Sequence, residues 1–157
     1  MTGLYIALAA VVLALGFGGY RALTDGRFRG THAVKGATGA AAEAGVADAA
    51  GPTAWSHVNA SVPEAVLGER ATLVQFSSAF CAPCRAAKRT LGDVAATVPG
   101  VVHLEVDAEH HLELVRAVDV LRTPTTLVLD AQGREVTRAS GAPTREAVLT
   151  ALAMAVD

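Results

Sequence analysis

Cysteine is nearly absent from this chain: Cys81 and Cys84 are the only two in 157 residues. So small a number excludes the disulfide framework that holds small secreted domains together. It also leaves a structural zinc site short of donors, because such a site takes four protein ligands and no second Cys pair exists. His32, His57, His103, His110 and His111 show no paired spacing that would complete one, and no metal is expected. His110 and His111 read as a solvated helix start. Aromatic residues make up only 4%, so the core must be built mainly from Val, Leu and Ala. An excess of one charge is lacking as well. The net charge of −2 gives no general field that favours nucleic acid, and no nucleic-acid partner is expected.

Charge is missing altogether from Met1 to Tyr20. The run LYIALAAVVLALGFGGY is apolar or small throughout, and about twenty helical residues match the roughly 30 Å of bilayer hydrocarbon. Arg21, Arg27, Arg29 and Lys35 follow it, against the single acid Asp25. A cleaved signal peptide would carry basic residues before the run and a small-residue cleavage site after it, and this sequence has neither. The expectation is a single-pass transmembrane anchor over 1–23. The positive flank turns the N-terminus outward and the rest toward the cytoplasm. Residues 24–52 are dominated by Ala and Gly and read as a flexible linker, since they cannot bury enough apolar surface to offset their ordering entropy. A globular domain then occupies 53–157.

Within that domain the texture changes to dense apolar periodicity. VPEAVLGE (62–69) reads as a short helix ended by Gly68. ATLVQFSS (71–78) reads as a buried strand. A helix follows from about Cys81 to Thr97, with Cys84, Ala87, Leu91, Val94 and Val98 on its apolar face. Pro99 and Gly100 stop it. VVHLEVD (101–107) is a strand, AEHHLELVRAVDV a helix and TTLVLD (125–130) a strand. A turn at Gly133 leads into REVTRASG (134–141), so these last two strands form a hairpin. PTREAVLTALAMAV closes the chain as an amphipathic helix. The order predicts an α/β fold whose central mixed sheet has helices on both faces.

Both cysteines lie in FSSAFCAPCRAAKRTL, where a buried strand gives way to a helix. A helix N-terminus carries free N–H groups and partial positive charge, which favour a thiolate over a thiol. Pro83 suits the first helical turn, where its missing N–H costs nothing. Cys81 at the tip is therefore expected to be the acidic, accessible nucleophile. Cys84, a turn deeper on the apolar face, is the shielded resolving thiol. A permanent bridge across two residues would stabilise little, because the loop it closes is tiny. Arg85, Lys88 and Arg89 follow the motif. Lys88 and Arg89 read as a solvated face, while a role for Arg85 at the thiolate stays open.

Strand, FCAPC and helix, followed by Arg122-Thr123-Pro124-Thr125 at the start of a strand, resemble the thioredoxin family across roughly Trp55 to Asp157. The resemblance implies that Pro124 is a cis-proline facing the cysteines. It implies that the Thr123 backbone binds an extended peptide beside Cys81, and that Gly141 lets a substrate chain approach the sulfurs. This sequence also departs from the family. Phe80 and Ala82 stand where WCGPC has tryptophan and glycine. Gln75 stands for a buried aspartate and His103 for a lysine, the pair held to move protons for the resolving cysteine. Gln75 cannot act as a base, and His103 can titrate near neutral pH.

The activity expected is thiol–disulfide exchange on disulfide-containing protein substrates, with no cofactor beyond the dithiol. A thiol or flavin reductase would recharge it. TPTTLVLDAQG also resembles the membrane-anchored extracytoplasmic branch of the family, which keeps an outward-facing domain as the alternative. A non-catalytic docking or redox-sensing module at the membrane is the competing class.

Overall fold

The computed structural model describes residues 2–30 and 51–156. Along the chain lie α1 (Thr2–Thr24), β1 (Phe28–Gly30), α2 (Ala54–Ser61), β2 (Ala71–Ser77) and α3 (Ala82–Thr97). They are followed by β3 (Val101–Asp107), α4 (Leu112–Ala117), β4 (Thr125–Asp130), β5 (Glu135–Ser140) and α5 (Arg145–Val156). The strands form one sheet in the order β1-β5-β4-β2-β3. β2 and β3 run parallel, from Ala71↔Val101 to Ser77↔Asp107. The pairs β2–β4, β4–β5 and β1–β5 are antiparallel. This is the mixed α/β sheet that the sequence predicts.

β2 is buried at all seven positions because it lies inside the sheet and both its faces are covered. Ala71 and Leu73 look toward α3 and α5, where they meet Ala87, Leu91, Val94, Val148, Ala151 and Leu152. Val74 and Phe76 look the other way, against Val58 of α2 and Leu114 of α4. A continuous apolar strand thus serves two cores, one on each face, and holds its C-terminal end rigid where the Cys motif begins.

Several boundaries differ from expectation. The helix read over 62–69 lies earlier, at Ala54–Ser61. Thr53 caps it, its hydroxyl accepting the Ser56 N–H at 3.2 Å. Residues 62–69 instead turn. There the Gly68 N–H donates to the Thr72 hydroxyl at 2.9 Å, and a Cβ on Gly68 would strike the Ala71 carbonyl. The linker expected over 24–52 contains β1, paired with β5 at Phe28↔Ala139 and Gly30↔Thr137. The rest of that linker, 31–50, lies outside the described residues.

The membrane anchor is also corrected. α1 forms, but among the described residues no helix is long and apolar enough to cross a membrane. Gly16, Gly18 and Gly19 dilute the apolar content of α1. The single-pass placement, and the N-out orientation argued from the arginines after it, fall with the span.

Candidate active site

β2 delivers the chain to the end of the sheet, and Ser78 to Phe80 turn it into α3. Cys81 is the N-cap of that helix. Its backbone is extended, and its sulfur accepts the Cys84 N–H at 3.1 Å. One of the free N–H groups of the helix start therefore points at this sulfur, which is the electrostatic support a thiolate needs. Ala82 and Pro83 form the exposed first turn. Cys84 is 2% exposed and belongs to the buried face, whereas Cys81 is partly open. The two are joined as a disulfide, with Cα atoms 5.2 Å apart. Phe80, beside them, is fully exposed and offers an apolar surface to an approaching molecule.

Beneath the motif lies a polar chain. The buried Gln75 amide donates from Nε2 to the Cys84 carbonyl at 2.9 Å, and its Oε1 lies 3.1 Å from His103 Nε2. A carbonyl only accepts, so the amide orientation is set. His103 must donate through Nε2, which leaves Nδ1 without the proton. Burial holds the His103 pKa below the ordinary histidine value, partly opposed by the Glu105 carboxylate and reinforced by Lys88. Glu105 takes Lys88 Nζ at 2.6 Å and the Ser77 hydroxyl at 2.9 Å. Burial pushes its carboxyl up, but these two hydrogen bonds together with the Lys88 and His103 charges outweigh it, and the pKa lies below the ordinary value. Lys88, read as simply solvated, has this definite partner. His103 reaches Gln75 and Gln75 reaches Cys84, and the chain ends on the Cys84 carbonyl oxygen and not on its sulfur.

The second wall comes from the segment before β4. Thr123–Pro124 is a cis peptide. The Thr123 hydroxyl lies 3.1 Å from that of Ser78, which ties this loop to the turn before Cys81. Pro124 is buried, and its carbonyl accepts the Gly141 N–H at 2.7 Å. Gly141 has φ 99°, a conformation that favours glycine. Thr123 is thus tied to the turn before Cys81, and Pro124 to Gly141.

Sequence reasoning gives no role here to four residues, Leu121, Arg122, Asp25 and Gly26. Leu121 is 88% exposed on the same loop. Arg122 pairs with Asp25 at 3.0 Å, and the Gly26 N–H donates to the Ser140 carbonyl at 2.7 Å. The Asp25-Gly26 dipeptide is itself a turn signal, but it was absorbed into the linker. Among the described residues, no group of three or more His, Cys, Asp or Glu is placed to hold a metal ion.

Comparison with known proteins agrees with this geometry. The thioredoxin family model matches residues 54–154. Thioredoxin H-type 1 from Nicotiana tabacum is 33% identical over 78 residues, covering 50% of this chain and 61% of that protein. Thioredoxin H4-1 from Oryza sativa subsp. japonica is 29% identical over 101 residues, covering 63% of this chain and 74% of that protein. The chain thus spans less than two thirds of the tobacco protein's length. Among solved structures, Fasciola hepatica thioredoxin superposes with a TM-score of 0.52 at 24% identity, over 66% of this chain and 95% of that one. A mutant thioredoxin from Halobacterium salinarum gives 0.53 at 18% identity, over 57% and 77%. These structural likenesses speak for the fold, and the family model matches more than half of the chain: the chain belongs to the thioredoxin family.

Proposed function

We propose that this protein reduces disulfides in other proteins through the Cys81–Cys84 dithiol. The reading rests on one observation above all: an accessible Cys81 sulfur accepts a helix N-terminal N–H, while its partner sulfur is buried. In the reduced protein the Cys81 thiolate attacks one sulfur of a target disulfide. The target's S–S bond breaks, its other sulfur leaves as a thiolate, and a mixed disulfide joins Cys81 to the target. Cys84 then loses its proton and attacks the Cys81 sulfur. The second target thiolate departs, and the Cys81–Cys84 disulfide is left. Two electrons pass to the target, so the dithiol needs no cofactor, and a separate thiol or flavin reductase must recharge it.

Thr123 and Pro124 flank the path of an extended target, with Phe80, Ala82 and Pro83 giving it a largely apolar surface. Gln75 and His103 support the resolving step by holding the Cys84 carbonyl, and the Cys84 proton passes to water.

Insulin reduction driven by dithiothreitol tests the proposal. Wild type accelerates precipitation, Cys81→Ser falls to the uncatalysed background, and Cys84→Ser accumulates a mixed disulfide visible on non-reducing gels. A wild-type protein that gives no acceleration would instead mark a docking or sensing module.

A further inference from the structure

Arg122 and Gly141 adjoin the Thr123–Pro124 loop, which Ser78 ties to the turn before Cys81, and the chain's own N-terminal segment covers both. The Asp25 carboxylate takes Arg122 Nη2 at 3.0 Å. Arg122 also reaches the Ser140 carbonyl at 3.5 Å, the same carbonyl that accepts the Gly26 N–H. A Cβ on Gly141 would lie 2.8 Å from Gly26 N and 3.1 Å from Asp25 Cβ, so the two backbones are in direct contact. Beyond them β1 continues along the outer edge of β5 as an added antiparallel strand. Arg122 directly precedes Thr123 and cis-Pro124, and the Gly141 N–H is bonded to the Pro124 carbonyl. An extended segment with an acidic side chain is therefore already seated beside the loop that carries Thr123 and Pro124, by strand addition and one ion pair.

We propose that Arg122 and Gly141 form a docking notch for an acidic residue of an extended substrate chain, and that Asp25–Gly26 occupies this notch in the resting protein. The inference rests on the disulfide-exchange reading above. An incoming peptide with Asp or Glu near its cysteine displaces Asp25, takes over the Arg122 contact and lays its backbone against Gly141. The exchange keeps one ion pair and one close backbone approach on each side, so displacement costs little. A peptide with Lys at that place must break the Asp25 pair and receives no replacement. The structure thus assigns to Arg122 a part in choosing substrates, and to Asp25 the part of a competitor built into the chain.

The test uses the full chain, reduced beforehand, and follows a single turnover. Two cystine peptides differ only in Asp or Lys beside the cysteine, and a small aromatic disulfide serves as a probe that needs no notch. The Asp peptide is expected to react about 1.5- to 5-fold faster at low salt, the range of an exposed ion pair. The preference shrinks at 1 M salt and disappears in Arg122→Gln. Asp25→Asn speeds both peptides and leaves the small disulfide unchanged. Gly26→Val, whose Cβ would collide with the Ala142 carbonyl, does the same by dislodging the segment. Equal rates for the two peptides, or no gain in Asp25→Asn, would overturn the notch. Failure of wild type to reduce even the small disulfide would count against the exchange reading itself.

Discussion

At the scale of single residues, His103 shows how a substitution in a family position changes its chemistry. Its Nε2 proton is committed to Gln75, and Gln75 to the Cys84 carbonyl, so a neutral imidazole completes the chain. Burial lowers its pKa in the folded protein, with Glu105 opposing and Lys88 reinforcing the shift. Below the unfolded value of about 6.5 the unfolded chain then binds more protons than the folded one at this site. Its contribution is fully present above that pH and is lost as pH falls toward the lower folded pKa. Urea denaturation from pH 8 to pH 5 should show wild type losing stability relative to His103→Gln below about pH 6.5. A constant gap across that range would refute a half-buried, neutral His103. The same variant should leave the pH dependence of the resolving step unchanged, because the chain reaches a carbonyl and not a thiol.

The cysteine pair and the cis-proline were legible in the sequence. Cys81, Cys84 and Pro124 sit in short motifs whose spacing has a physical meaning. Asp25, Arg122 and Leu121 were not legible in this role, because what joins them is proximity between segments distant in sequence. Gln75 and His103 were picked out by position, but only the geometry says which atom of Cys84 they reach.

At the scale of elements, α3 carries the site and is held by its apolar face. Leu91 is fully buried against β2 and α5. Leu91→Ala should cost about 2–5 kcal/mol, from lost burial and the cavity left behind. Leu149, on α5, is 40% exposed, and its replacement by Ala should cost below about 1 kcal/mol. Urea midpoints of the two variants check this, and equal shifts would contradict the packing described.

β2, α3, β3, β4, β5 and α5 were readable because each combines a clear period with a stop signal. The helix near the start of the domain was misplaced for an identifiable reason. Ala54–Ser61 offers only Trp55 and Val58 as large apolar residues, too few for a period, while VPEAVLGE looks amphipathic and yet turns around Gly68. β1 was hidden by its length of three residues. The anchor was an overreading of low charge as sufficient apolarity.

At the scale of the whole molecule, β1 differs from the other strands. It is short, it lies at the edge, and it closes a register that joins position 28 to position 139. A long loop must be closed for three residues of pairing, so β1 should open far more readily than the central strands. Native-state hydrogen exchange should find the β1 amides at least about 100-fold less protected than those of β4. Equal protection would mean that β1 belongs to the cooperative core and could not yield to a competing chain.

The bond from Gln75 to the Cys84 carbonyl has one more consequence. It anchors the first turn of α3 to the sheet through a side-chain amide on a backbone carbonyl, independently of either sulfur. Opening the disulfide is therefore expected to leave that turn where it is, with the oxidised and reduced proteins presenting nearly one shape. A partner that must tell the two states apart has to sense the sulfur atoms and their charge, since the contour around them carries little of that information.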